Sequence, residues 1–226
     1  MEIAGLQKLT LLDFPGKVAC TVFLPGCNFR CPFCHNAPLL ERPEVTSDAE
    51  LLRFLKTRQG LLDGVAVTGG EPLLSVGLPE LLEKIKALGY LVKLDTNGSF
   101  PERLEALLNA GLVDCVAMDI KNAPEKYALT TGRDDVIEAV RRSAALLMNG
   151  TVGYEFRTTV VNELHEPEDF ETIGRWLAGA QQFFLQCYKD SENVLQPGLH
   201  APSREKLERC REALKEYIPN VELRGI

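Results

Sequence analysis

The sequence predicts an α/β protein built on a parallel sheet, and three observations predict it. Short apolar, β-branched runs alternate with longer segments of helical periodicity, and this alternation repeats six times. Glycine and proline punctuate the joins where helices stop and start. The strand runs are mostly apolar, as expected when both faces of a sheet are covered. Parallel neighbours joined through crossover helices satisfy this pattern. Two architectures do so, a doubly wound open sheet and a complete or partial β/α barrel, and periodicity leaves both open.

The elements follow in order. The first strand is 18–24 (VACTVFL). A helix over 48–59 follows, with Ser47 and Glu50 at capping-box spacing and Gly60 at its end. The second strand, 64–68 (GVAVT), leads to a helix at 79–88 that Pro79 opens and Gly89 closes. The third, 91–95 (LVKLD), leads to a helix at 101–110 between Pro101 and Gly111. The fourth, 114–120 (DCVAMDI), precedes a helix at 135–148, with Gly150 placed for a left-handed stop. The fifth, 154–161 (YEFRTTVV), precedes a helix at 167–178 opened by Pro167. The sixth, 182–187 (QFFLQC), is followed by a helix at 203–217 and a last strand at 221–225.

Composition sets the outer limits. The chain has 226 residues, 45% hydrophobic and 25% charged, which suits one folded domain spanning 1–226 and excludes disorder as the dominant state. A net charge of −7 disfavours nonspecific nucleic-acid binding, so no direct nucleic-acid partner is expected. No apolar run approaches the roughly 20 residues that span a bilayer. The N-terminal MEIAGLQKLTLLDFPGK lacks a signal-peptide pattern, so a cytoplasmic location without a membrane partner is expected.

Seven cysteines stand out, at 20, 27, 31, 34, 115, 187 and 210. An odd count in a reducing compartment argues against a disulfide framework. Cys27, Cys31 and Cys34 crowd into FLPGCNFRCPFCHN directly after the first strand, with spacing C-x3-C-x2-C. Thiolates are soft ligands for zinc or iron–sulfur clusters. Structural zinc and electron-transfer [4Fe–4S] sites want four protein ligands; three leave a metal position open for a small molecule. A zinc site completed by His35 competes, although a histidine adjacent to Cys34 is awkwardly placed for the same ion. Cys20, Cys115, Cys187 and Cys210 read as small buried hydrophobes, with Cys187 at a strand end the one to watch.

Three further groups follow later strands: Gly69-Gly70-Glu71-Pro72 after the second, Asp95-Thr96-Asn97-Gly98 at the third, and Asp119 at the fourth. Taken singly, each has a plain structural reading as a turn or a strand-end carboxylate. Together with the cysteines they occupy the C-terminal ends of four successive strands, the face on which β/α barrels build active sites.

The C-x3-C-x2-C spacing with Phe33 before its third cysteine resembles the signature of radical S-adenosylmethionine (SAM) enzymes. Cys34-His35-Asn36 is similar to the glycyl-radical-enzyme activating proteins, and residues 5–36 resemble those that activate anaerobic ribonucleoside-triphosphate reductase. The resemblance implies a partial (β/α)6 TIM-like barrel with parallel strands. This would be a single radical SAM domain with a cluster loop at 25–36 and a closing helix and strand at 203–226. It implies a [4Fe–4S] cluster on Cys27, Cys31 and Cys34, whose open iron takes SAM. Phe33, Gly69, Gly70, Glu71, Asp95, Thr96, Asn97, Asp119 and Arg157 would lie around SAM, with the Glu71 carboxylate pairing the methionine ammonium. Asp95 and Thr96 would help bind a monovalent cation. For Arg157 a structural salt bridge stays equally open.

The implied activity is reductive cleavage of SAM to a 5′-deoxyadenosyl radical, which takes a hydrogen from a glycine of a partner enzyme. That partner is anaerobic ribonucleotide reductase on the N-terminal likeness, with pyruvate formate-lyase as an alternative in the same chemistry. A radical SAM enzyme acting on a small molecule and a non-catalytic metal module are alternatives of other kinds. The electron would come from an external donor such as flavodoxin or ferredoxin. Some activating proteins carry a histidine after the sixth strand. Here LQCYKD offers Lys189, and that role does not transfer. One cluster is expected, because no second cysteine group follows.

Overall fold

The computed structural model describes residues 1–40 and 45–226. Its elements run β1 (Glu2–Ile3), β2 (Gly5–Thr10), β3 (Ala19–Leu24), β4 (Thr46–Ser47), α1 (Asp48–Lys56), β5 (Gly64–Gly69), α2 (Leu78–Ala87), β6 (Leu91–Thr96), α3 (Pro101–Asn109), β7 (Cys115–Asp119), α4 (Tyr127–Thr131), α5 (Ile137–Asn149), β8 (Gly153–Val160), α6 (Pro167–Trp176), β9 (Phe183–Cys187), α7 (Arg204–Lys215) and β10 (Val221–Arg224).

Strand order decides between the two architectures. The main sheet reads β2-β3-β5-β6-β7-β8-β9-β10, so from β3 onward every new strand joins the same growing edge. A doubly wound sheet reverses its order at a switch point. One-way growth through crossover helices instead curls the sheet around a single axis, as in a barrel. The pairings from β3 to β10 are all parallel; β2 alone lies antiparallel, against β3. The result is a partial (β/α)6 barrel with a seventh parallel strand, β10, after the sixth helical segment. Its edges, β2 and β10, do not pair with each other among the described residues. The short β1 and β4 form a separate antiparallel pair.

The helices bury the faces that their periodicity marks: Leu81, Leu82 and Ile85 on α2, Leu104 and Leu107 on α3, Phe170 and Ile173 on α6. Pro79, Pro101 and Pro167 sit in the first turns of their helices, as expected. Two boundary expectations fail. Ser47 caps α1 without a side-chain bond, while Asp48 instead receives the N-terminal ammonium at 3.2 Å and Lys84 at 3.2 Å. Gly150 ends α5 in an extended conformation, with φ −86° and ψ −178°, and not in the left-handed region. The true capping box stands at α6, between Glu166 and Asp169.

Candidate functional site

The loop after β3 is held from several sides. The Gly26 N–H donates to the Leu39 carbonyl at 2.9 Å and the Arg30 N–H to Thr131 at 2.8 Å. The Arg30 guanidinium returns to the carbonyls of Cys27 and Phe29, at 2.7 and 2.8 Å. Phe33 is buried, edge-on to the His165 ring at 6.3 Å. So folded, the loop brings Cys27, Cys31 and Cys34 to the wall of one cavity of about 230 Å³, shared with Phe33, Gly69, Gly70, Asp95, Thr96, Asn97, Asp119 and Arg157. Every predicted site residue except Glu71 lines it. A larger depression, about 520 Å³, lies between α3 and α5 and gathers none of these groups.

Burial pushes the Cys31 thiol up to about 12 and raises Cys27 as well. Such thiols stay protonated unless a metal displaces the proton, and a coordinating thiol is deprotonated outright. Among the described residues no three His, Cys, Asp or Glu side chains converge on a single ion's position. A [4Fe–4S] cube asks for something else, one thiolate per iron across its width. Three sulfurs spread around one cavity fit that donor set. His35 lines the same cavity, but its ring is already engaged: it stacks on Tyr188 at 5.4 Å, and its Nε2 lies 2.6 Å from the Lys189 carbonyl oxygen. Cys115 and Cys187 do not line the cavity. Cys187 lines a separate side cavity instead, with Lys189 and Arg224.

The glycine motif forms the next part of the wall. Gly70 donates to Leu24 at 3.0 Å and Glu71 to Gly26 at 2.8 Å, locking this loop onto the cysteine loop. The Asn36 side chain adds a bond to the Gly69 carbonyl at 2.8 Å. A Cβ on Gly70 would lie 1.9 Å from the Gly26 carbonyl oxygen, so only glycine permits the approach. Glu71 is fully buried and turned away from the cavity. It accepts from the Leu73 N–H at 2.9 Å, the Thr96 hydroxyl at 2.9 Å and the Asn97 N–H at 2.7 Å. Burial pushes it up to about 7 against those three donors. Its carboxylate is therefore committed within the protein and is not placed to receive a ligand ammonium; the residues of this motif on the cavity are Gly69 and Gly70.

Opposite lies a wall of charge. Asp95 meets the Lys93 ammonium and, at 3.1 Å, the Arg157 guanidinium. Asp119 meets Arg157 at 2.5 Å and Lys121 at 2.8 Å. Burial alone would raise Asp119, but the charges of Arg157 and Lys121 prevail and hold it well below the usual carboxylate range. Arg157 thus makes a salt bridge, as one of its two readings expected, while its side chain also faces the cavity. Asn97 holds Asn28 at 3.0 Å and reaches Cys27 Sγ at 3.8 Å, so the two walls touch there.

Lys121, which lines the cavity, and Lys93 and His165, which stand behind its lining, are not legible as such in the sequence. Nε2 of His165 donates to the Lys121 carbonyl at 2.9 Å, and its Nδ1 accepts from the Val161 N–H at 3.1 Å. A signal for the lysine on β6 did exist. Lys93 and Asp95 alternate with apolar residues on β6, as Glu155 and Arg157 do on β8. Period-two polarity on these two parallel strands, which flank β7, places the charges on one face of the sheet.

With this geometry, the likenesses to known proteins become specific. The Radical SAM superfamily pattern matches residues 21–177. A protein of Methanocaldococcus jannaschii named "putative glycyl-radical enzyme activating enzyme" is 31% identical over 99% of this chain and 96% of its own length. The pyruvate formate-lyase-activating enzyme of Listeria monocytogenes is 30% identical over 59% of each chain. The fold resembles Streptococcus suis SuiB, solved with S-adenosylmethionine, with a TM-score of 0.67 at 15% identity over 91% of this chain and 52% of that one. Among the described residues no helix is long and apolar enough to cross a membrane. The family pattern covers the cysteine loop, the glycine motif and the charged strand ends, and the chain belongs to the radical SAM superfamily.

Proposed function

We propose that this protein is an activating enzyme that installs a glycyl radical on a partner enzyme, using a [4Fe–4S] cluster and SAM. The observation that carries the reading is the gathering of Cys27, Cys31 and Cys34 on one cavity with Gly69, Gly70, Asp95, Asn97 and Asp119. In this reading the three thiolates hold three irons. Gly69 and Gly70 present backbone to SAM, and Asp95, Thr96, Asn97, Asp119 and Arg157 surround it. When bound, the pair supplies one-electron cleavage of the sulfonium and a radical able to take hydrogen from glycine. The protein's share is to fix orientation and exclude water. Phe29 and Phe33 shield the cluster side, and the Glu71 bonds to Thr96 and Asn97 fix the facing loop. The family's relation to glycyl-radical activating enzymes supports the activity.

The partner in this proposal is anaerobic ribonucleoside-triphosphate reductase, on the likeness of residues 5–36; the electron donor is a flavodoxin or ferredoxin. The Listeria relative favours pyruvate formate-lyase as the second reading. Anaerobic reconstitution followed by reduction tests the chemistry: 5′-deoxyadenosine should form from SAM, and none from a fully loaded cluster overturns the reading. Electron paramagnetic resonance on mixtures with each candidate partner then separates the two. A glycyl radical should appear with the reductase and not with the lyase.

A further inference from the structure

Behind the charged wall, paired with Asp95, stands one group that the predicted site has no use for. Lys93 lies on β6, its side chain 1% exposed, on the same face as Asp95 two residues on. A buried ammonium is costly unless it is paired, so its place beside the cavity calls for a reason.

The four carboxylate oxygens of Asp95 and Asp119 supply it. Oδ1 of Asp95 faces Lys93 and Oδ2 faces Arg157 at 3.1 Å. Oδ1 of Asp119 faces Arg157 at 2.5 Å and Oδ2 faces Lys121 at 2.8 Å. Every oxygen of the two acids has a basic nitrogen against it. Thr96 is equally engaged: its hydroxyl donates to Glu71 at 2.9 Å and accepts from the Gly98 N–H at 3.1 Å. A free cation binds where oxygens carry charge that nothing else neutralises. Here no oxygen of the two acids is left without a cationic partner, so none remains to hold a further cation. The residues present do not fit the monovalent ion expected beside Asp95 and Thr96.

We propose that the Lys93 ammonium is a built-in cation standing in for a free monovalent ion at the SAM site, so that SAM binding here requires no such ion. The proposal rests on the SAM-binding reading of the cavity and adds a positioning residue to it. Lys93 acts through Asp95, which it neutralises and holds toward Arg157.

The test is SAM affinity of the anaerobically reconstituted protein, measured at equal ionic strength with K⁺, Na⁺ or tetramethylammonium as the only added cation. Wild-type affinity should agree within about twofold across the three salts, and Lys93→Met should bind about tenfold more weakly in tetramethylammonium and recover in K⁺. Rescue by a small cation distinguishes a charge at this position from mere packing. A wild-type protein that loses about tenfold in affinity when K⁺ is withdrawn overturns the proposal, and this arm needs no variant to fold. A Lys93→Met protein indifferent to salt, whether weakened or not, overturns it too. Absence of SAM binding in every salt overturns the SAM reading itself, and the proposal with it.

Discussion

On the β3 and β5 side, Gly69 and Gly70 bring backbone to the cavity, and the loops are locked together where the Gly70 N–H donates to Leu24 and the Glu71 N–H to Gly26. On the β6 to β8 side the wall is charged side chains, Asp95, Arg157, Asp119 and Lys121, with Lys93 paired behind Asp95. The first wall is fixed by what is missing, since a Cβ on Gly69 or Gly70 would collide with facing backbone. The second is fixed by pairing, since each charge is tolerable only because of its neighbour. The walls should therefore fail differently. The backbone wall should break at a single methyl group, and the charged wall should degrade in steps.

The largest effect is expected from Gly70→Ala. Its Cβ would lie 1.9 Å from the Gly26 oxygen and 2.5 Å from its carbon, both backbone atoms that no side-chain rotation can move. Relief requires parting the two loops. A loss of about 4 kcal/mol or more in urea denaturation is expected, with loss of bound iron after reconstitution. Iron retained at the wild-type level would mean that the cysteine loop does not depend on this contact.

Arg157→Met probes the other wall and should cost about 3 kcal/mol at neutral pH, because it removes the bridge between the buried Asp95 and the half-buried Asp119. Lys93 and Lys121 stay on Asp95 and Asp119, so the cysteine loop should still load iron. The pH dependence has a definite sign. Asp119 is held below its ordinary 3.8 by Arg157 and Lys121 against its burial, so this stabilisation is present above that pH and lost as pH falls below it. The gap between variant and wild type should be full at pH 7 and shrink under acid. A gap unchanged below that range would remove charge as its cause.

The same contrast explains what the sequence made legible. The backbone wall depends on residue identity at one position at a time, so the cysteine spacing and the paired glycines announce themselves. The seven parallel strands are legible for a related reason, because buried runs such as VACTVFL and DCVAMDI need no partner to be recognised. Charge pairing depends on which strands become neighbours and in what register. Asp119 lies opposite Arg157, and no local pattern in either segment states that. Glu71 shows the limit from the other direction. Its motif was visible, but its carboxylate serves Thr96 and Asn97, a tertiary arrangement that a four-residue motif does not contain. The strand β2, three of whose six residues are exposed, and the five-residue α4 were missed because neither carries enough buried periodicity.

One residue joins the two walls, and it gives the smallest and most diagnostic effect. His165 packs its ring against Phe33 of the cysteine loop, and its Nε2–H donates to the carbonyl of Lys121 on the charged side. Burial lowers its pKa against two backbone hydrogen bonds, so the folded protein keeps the ring neutral, while the unfolded chain takes up a proton below about 6.5. The unfolded state then binds more protons in that range. Stability is present above pH 6.5 and falls as the solution is acidified, by up to about 1.4 kcal/mol per pH unit. His165→Asn keeps a donor and an acceptor but cannot titrate, so it should be uniformly weaker and lack that slope between pH 6.5 and 5 in urea denaturation. If the slope persists in the variant, acid sensitivity arises elsewhere and the joint between the walls is only packing. If it vanishes, protonation of this one buried ring is the source of the acid sensitivity.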